Sequence, residues 1–429
     1  MRHRALSRSQ RPVIELICVG TELLDGHADS HRAALALRLG AAGLRLSREA
    51  ILLDDADALA GVVRAALRRC DALIVCGGLG PTFDDLTREA VARALGRDLV
   101  FSPRLYADIR RKFARWGTRR PRENRRQAFL VRGAAALANR VGSAPGQIIV
   151  LPRPNDSPQT VALLPGPPRE MVPLLESEVM PRLRRAYGRG LHAATLDLHL
   201  CGLPESAADE RLKPLTRQAG PELDFTILAH PGQVDFHAFA RCASARRARE
   251  LIARCRRQAL RLLAGHVVGD GSMTLESAVG RLLRRRRLTL AAAESCTAGL
   301  LCGRLTSVPG SSSYFRGGVL AYHDAVKRGL LGVKAETLAR PGAVSAACAR
   351  EMAERARRLI GADVGVSITG LAGPGGGTAR KPAGLVFTAV AGPGAMVAVR
   401  RWQFPGDREA VRQKAVAAAL CLLWTRLRP

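Results

Sequence analysis

Aromatic side chains are scarce in this chain of 429 residues, at 4%. Few platforms remain on which exposed bases could stack, which argues against a dedicated single-strand nucleic-acid binder. Acidic residues are outnumbered, with Asp+Glu 37 against Lys+Arg 67 and a formal net charge of +30. Such an excess attracts nucleic acid or anionic metabolites non-specifically. The arginines are spread over the whole length, however, so a drift toward arginine is a simpler account than a nucleic-acid surface. No Cys-x-x-Cys occurs among the ten cysteines, which removes the commonest zinc and redox patterns. Cys18, Cys76 and Cys421 sit in apolar runs, as reduced, buried thiols of a cytosolic protein do, and not as a disulfide frame would. No apolar run reaches membrane-spanning length. The basic segment 1–11 leads into an apolar run, 13–19, too short for a secretory core. A cytoplasmic protein with no membrane partner is expected.

Lysine is the scarcest cation, confined to Lys112, Lys213, Lys327, Lys334, Lys381 and Lys414. Arginine does not give up its proton in a protein, whereas a desolvated lysine can. Each lysine is therefore a candidate base, although most of the six are expected to be solvated surface residues.

What is abundant fits an ordinary α/β protein: 47% hydrophobic residues and Gly 42, in a chain long enough for two or three domains. In the first third, extended runs at 13–20, 44–53 and 71–76 alternate with helical patterns at 33–39 and 57–69, which predicts a parallel sheet with crossover helices. The third run ends in GGLGPTFDDLT at 77–87. Glycines let backbone approach a phosphate, and the next helix offers its N-terminus. Asp84 and Asp85 are expected in the first turn of that helix, either as caps or holding a metal against a diphosphate. Farther on, strands at 195–201, 225–229 and 234–240 with helices at 205–215 and 245–263 predict a small α+β unit. Its histidines 192, 199, 230 and 237 lack ligand spacing, and 246–257 reads as a solvated helix face.

The final part is again α/β. A helix at 275–283 precedes strands at 288–293, 319–322 and 364–369. Each strand ends in polar residues: Glu294 and Ser295, then Tyr322 leading to Lys327, then Thr369 leading into GLAGPGGGT at 370–378. If the strands run parallel, that set gathers on the rim where α/β proteins bind ligands. Ser295 falls at a strand–helix turn, near N–H groups that can stabilise an anion, although a serine there also serves as a simple N-cap. The glycine loop is either a phosphate cradle or a flexible connection.

These stretches resemble a known family. The loop at 77–87 is similar to the signature of the molybdopterin-binding family, and LPGPPREM at 164–171, ENRRQ at 123–127 and VGSAPG at 141–146 resemble its CinA branch. AESCTAG at 293–299, VPGSS at 308–312, YFRGG at 314–318, GAVS at 342–345 and 368–377 look like the CinA C-terminal domain. The resemblance implies a parallel-sheet molybdopterin-binding-like domain at 12–183, a KH-like α+β module at 192–268 and an α/β amidase domain at 272–427. The middle module lacks the Gly-x-x-Gly loop of true KH domains, so it is expected as a spacer or dimer contact without nucleic acid.

For the last domain the resemblance implies hydrolysis of nicotinamide mononucleotide to the acid and ammonia, with no cofactor. Ser295 would be the nucleophile and Lys327 the base, with Tyr322 and Thr369 assisting. Glu294, Thr297, Ser312, Gly373, Gly375, Gly376, Gly377, Lys381, Arg408 and Arg412 would bind the substrate. In the first domain Asp54, Asp84 and Asp85 match acidic residues with which some members hydrolyse ADP-ribose using a divalent metal, which Asp84 and Asp85 would hold. Gly77, Gly78, Gly80 and Thr82 would line that nucleotide site. A homodimer is expected.

Three stretches depart from the family pattern. Residues 29–31 read Asp-Ser-His where the family has Asp-Thr-Asn, Ala298 replaces a glycine, and His323 and Asp324 replace Ser-Asn. Asp324 could ion-pair with Lys327, a poorer arrangement for a base, and His323 is the alternative base. Two further functions compete with the amidase: a metal-dependent ADP-ribose pyrophosphatase, and a non-catalytic accessory of DNA uptake or repair.

Overall fold

The computed structural model describes residues 12–25, 31–119, 121–153, 158–188, 190–394 and 396–428. The basic segment 1–11, Asp29 and Ser30 lie outside the described residues. Among the described residues no helix is long and apolar enough to cross a membrane. The chain divides into two compact units: one is chiefly the chain up to Ala194, the other most of the middle module with the C-terminal domain.

In the first unit β1 (Ile14–Val19) pairs in parallel with β2 (Leu46–Leu52) and β3 (Ala72–Cys76). All of β1 and β3 is buried, as expected of strands covered on both faces. Leu16 and Ile74 pack into one core, while Ile17 and Val75 pack into another. A separate ribbon joins β4 (Leu99–Phe101) to β5 (Phe129–Val131). Then β6 (Ala135–Leu137), β7 (Gly146–Leu151) and β8 (Gln159–Leu164) complete a six-stranded sheet ordered β2-β1-β3-β8-β7-β6. Its parallel part ends at β8, since β7 is antiparallel to both neighbours.

The middle module has a sheet ordered β10-β11-β9-β12, with β9 at His192–Cys201, β10 at Leu223–His230, β11 at Gln233–Cys242 and β12 at Val267–Asp270. The hairpin of β10 and β11 turns at Pro231 and Gly232. Leu198 and Phe236 share a core with Leu212, Ala259 and Leu263, so the intervening positions Asp197, His199, Asp235 and His237 belong to the opposite face.

The C-terminal domain is a five-stranded sheet ordered β14-β13-β15-β16-β17: β13 is Leu290–Glu294, β14 Phe315–Leu320, β15 Val364–Gly370, β16 Leu385–Ala391 and β17 Val397–Gln403. Central β13 runs parallel to both β14 and β15, while β16 and β17 are antiparallel additions. Its alanines let elements on both faces come close. Ala292 packs in the core with Leu305 and Leu420, and Ala291 and Ala293 pack with Cys348 and Met352. The second strand begins earlier than the sequence pattern predicts because Gly317 and Gly318 read as a turn. Gly318 is in fact in the strand, where a side chain would collide with the Cys302 sulfur.

Candidate active site on the rim of the C-terminal sheet

Parallel pairing places the ends of β13, β14 and β15 together. Glu294 is in register with Leu320 on one side and Ile368 on the other, and Ser295 N–H continues the ladder to the Ile368 carbonyl at 3.0 Å. Ser295 therefore leaves the sheet between the residues that lead to Tyr322 and Thr369. The expected rim exists.

The chain then turns from 295 to 299 into the helix Leu300–Thr306. Glu294 is fully buried, and its carboxylate accepts from Gly299 N–H and Leu301 N–H at 3.1 Å each and from Cys302 N–H at 2.8 Å. It satisfies the first amides of that helix, so its carboxylate is committed to the fold and not to a substrate. Ser295 makes no cap of its own there. Among the described residues the N–H groups of Cys296 and Thr297 have no backbone acceptor, and the buried Thr297 hydroxyl has no partner. Ala298 holds a left-handed backbone at φ 48°, which is why glycine suits that position. Burial pushes the neighbouring Cys296 thiol up to about 11, which keeps it protonated and poorly reactive at neutral pH.

Lys327 lies in the helix Asp324–Gly329 and is 2% exposed. Its Nζ donates to the Tyr322 carbonyl at 3.1 Å and to Asp324 Oδ1 at 3.2 Å. The ion pair anticipated from the sequence is present. His323 is exposed, and its Nδ1 accepts from Ala325 N–H at 3.2 Å as the N-cap of the same helix.

Arg408 Nη1 donates to the Gly373 carbonyl and Nη2 to the Tyr322 hydroxyl, at 3.0 Å each, and Arg412 reaches the Thr297 carbonyl at 3.0 Å. These arginines, indistinguishable in sequence from dozens of others, tie the helix Arg408–Leu427 to the turn, the tyrosine and the glycine loop. Thr369 donates to the Ala343 carbonyl at 2.7 Å and Lys381 to the Pro341 carbonyl at 2.6 Å, so the segment 341–345 joins them. Gly375, Gly376 and Gly377 are exposed, while Gly373 is buried. A cavity of about 530 Å³ lies behind the loop, lined by Pro374, Gln403, Phe404 and Arg408 among others.

Ser312 departs from expectation. It lies in the short helix Ser311–Ser313 before β14, and the Tyr314 carbonyl beside it accepts from Leu290 at the start of β13. Tyr322 follows the other end of β14, so the six-residue strand separates Ser312 from the rim by roughly 20 Å. Within one chain it is not positioned to share a ligand with Ser295.

The first domain carries a second rim. A cavity of about 380 Å³ is lined by Gly77, Gly78, Gly80, Thr82, Asp54, Asp84, Asp85, Glu22, Gln127 and Glu170 among others. Gly77 has φ 103°, and a side chain there would run into the Val19 carbonyl, so the loop's approach to β1 demands glycine. The following helix begins only at Thr87; the acidic pair sits in the preceding turn and caps nothing. Asp85 takes Gly80 N–H at 2.7 Å, Thr82 N–H at 2.8 Å and the Thr82 hydroxyl, while Asp54 holds Thr21 N–H at 2.9 Å and its hydroxyl at 3.0 Å. Exposed Asp84 is left facing the cavity. Among the described residues no three His, Cys, Asp or Glu converge to hold a metal, so Asp84 would hold one only together with the substrate's own phosphate oxygens. His31 is buried and contacts the Gly166 carbonyl at 2.5 Å through Nε2. Sequence reasoning missed Arg88, a buried guanidinium that braces the loop through the Leu79 and Gly80 carbonyls. Only its place after Thr87 could have marked it.

The middle histidines are closer than their spacing suggests. His199 Nδ1 meets Asp235 at 2.7 Å, His230 meets the same carboxylate at 3.1 Å, and His237 meets Asp197 at 2.6 Å.

Comparison with known proteins follows this division. Residues 15–185 match the probable molybdopterin binding domain, 197–269 the damage-inducible protein CinA KH domain and 272–427 the CinA C-terminal domain. A CinA-like protein of Parasynechococcus marenigrum is 42% identical over 96% of this chain and 98% of its own. Another CinA-like protein, of Koribacter versatilis, is 39% identical over 97% and 100%. A crystal structure of a competence-damaged protein (CinA) superfamily protein from Klebsiella pneumoniae is 40% identical, covering 36% of this chain and 95% of that one with a TM-score of 0.35. With three domain matches in one order and relatives alike along nearly the whole length, this chain belongs to the CinA family.

Proposed function

We propose that the C-terminal domain hydrolyses the carboxamide of nicotinamide mononucleotide, giving the carboxylate and ammonia. The observation that carries this reading is the turn after β13, where Ser295 is followed by two amide N–H groups without a backbone acceptor. Ser295 Oγ attacks the amide carbon, and the oxyanion receives hydrogen bonds from Cys296 and Thr297 N–H. Lys327 Nζ, once neutral, takes the hydroxyl proton and passes it to the leaving ammonia; water then releases the acid from the acyl-serine. The phosphate of the substrate is met by Lys381, Arg408, Arg412 and the glycine loop.

The test is ammonia release from nicotinamide mononucleotide by the full chain. Ser295→Ala is expected to abolish it while retaining substrate binding. Lys327→Arg keeps the charge but cannot serve as base, and a lost general base typically costs about 10²–10⁴-fold. His323→Gln is expected to be mild. A tolerant lysine with a lethal His323→Gln would replace the serine–lysine mechanism by a serine–histidine one.

The acidic lining of the first domain's cavity favours a second activity, hydrolysis of ADP-ribose. Asp84→Asn is the informative variant, because Asp85 shapes the loop and its loss would disturb binding for structural reasons. Hydrolysis unaffected by both Asp84→Asn and a strong chelator would remove the metal-dependent reading.

A further inference from the structure

Cys201 is the last residue of β9, and Cys421 lies on the helix Arg408–Leu427. Their sulfurs are 2.7 Å apart although the residues are 220 positions apart in sequence. The backbone around Cys201 is held on both sides, by its own N–H to the His266 carbonyl at 3.0 Å and by His266 Nδ1 at 3.1 Å from the Cys201 carbonyl. Next to Cys421, Arg428 donates to the Gly265 carbonyl at 2.7 Å, so this end of the helix is seated on the middle module. At the other end of the same helix are Arg408 and Arg412, which reach the rim.

We propose that Cys201 and Cys421 are a redox-responsive pair whose disulfide staples the middle module to the C-terminal domain. Both thiols are free in this structure, so the disulfide is the oxidised alternative. The two sulfurs share one hydrogen bond, which draws Cys421 below the ordinary thiol range and pushes Cys201 above it, with burial adding to the rise. Cys421 is also the less buried of the two. It is therefore the attacking group. With a small-molecule disulfide as oxidant, the Cys421 thiolate attacks one sulfur, the oxidant's S–S bond breaks and one thiolate leaves. Cys201 then gives up its proton and attacks the Cys421 sulfur, expelling the second thiolate. Two protein thiols are oxidised, and one disulfide is reduced to two thiols. In a reducing compartment the pair reverts.

The experiment exposes the full chain to oxidised glutathione, then alkylates and maps peptides without reduction. A cross-linked peptide joining Cys201 to Cys421 is expected, reversed by dithiothreitol, with a thermal midpoint higher by at least about 2 °C in the oxidised form. Cys421→Ser should lose both the cross-link and the oxidation-dependent shift, and Cys302→Ser should keep both. The wild-type peptide map decides the matter even if Cys421→Ser folds poorly. Absence of the cross-link, or Cys421 carrying only glutathione, would overturn the proposal. None of these readouts involves nucleotide turnover, so the staple and the amidase stand or fall separately.

Discussion

At the scale of single residues, the turn after β13 concentrates what is unusual in the C-terminal domain. Glu294 satisfies three amides at a buried helix start. Leaving buried donors unpaired costs about 1–3 kcal/mol apiece. Glu294→Ala should therefore destabilise this domain by at least about 2 kcal/mol, with Glu294→Gln between it and wild type, as read from urea unfolding. Ala298 argues in the opposite sense. A left-handed backbone costs a non-glycine residue about 1–2 kcal/mol, and glycine's greater unfolded-chain entropy returns about 0.4–1 kcal/mol of that. Ala298→Gly is thus expected to stabilise by about 0.5–1 kcal/mol in the same experiment. Ser295 was legible because its neighbours alternate from apolar to polar at one point. Arg88 was not, because its importance lies in which carbonyls it reaches across the fold, and arginine is everywhere in this chain; Arg408 and Arg412 stood out only through the family resemblance.

Among elements, the middle sheet makes a pH-dependent contribution. Burial works against protonation of His199, but the Gly271 carbonyl and the Asp235 carboxylate, with Asp197 nearby, outweigh it and raise the His199 pKa above its ordinary value. His230 and His237 face the same acidic pair. The folded pKa lies above the unfolded one, so the stabilisation is fully present below about pH 6.5 and is lost as pH rises through the folded value. The melting temperature should fall over that rise in the wild type and change less in His199→Gln. Sequence periodicity found β9, β10 and β11 of this module within a few residues but not the short β12, and it found β1, β3, β13 and β15, because each is a short buried run. It placed β14 too late, where Gly317 and Gly318 hide a strand, and it started the helix after β3 too early, at Asp84. Ser312 was misplaced for another reason. A motif's order along the chain does not say at which end of a strand it falls.

For the whole molecule, the net charge of +30 competes with any specific role in DNA uptake or repair as an explanation of DNA binding. Attraction by scattered arginines should be equal for unrelated duplexes and lost steeply between about 50 and 200 mM salt. Retention of one sequence at the higher salt would favour the accessory role. The C-terminal sheet has a further consequence. Since β16 returns antiparallel beside β15, the glycine loop is the tip of a hairpin and not a crossover, closed at its base by Leu371 N–H to the Leu385 carbonyl at 2.9 Å and Gly384 N–H to the Leu371 carbonyl at 2.7 Å. Residues can be inserted or deleted at such a tip at little entropic expense and without shifting the strand that carries Thr369. Ligand preference and catalytic geometry are thereby free to evolve on separate schedules, and an engineer can graft new loops at 374–378 while leaving Ser295 untouched.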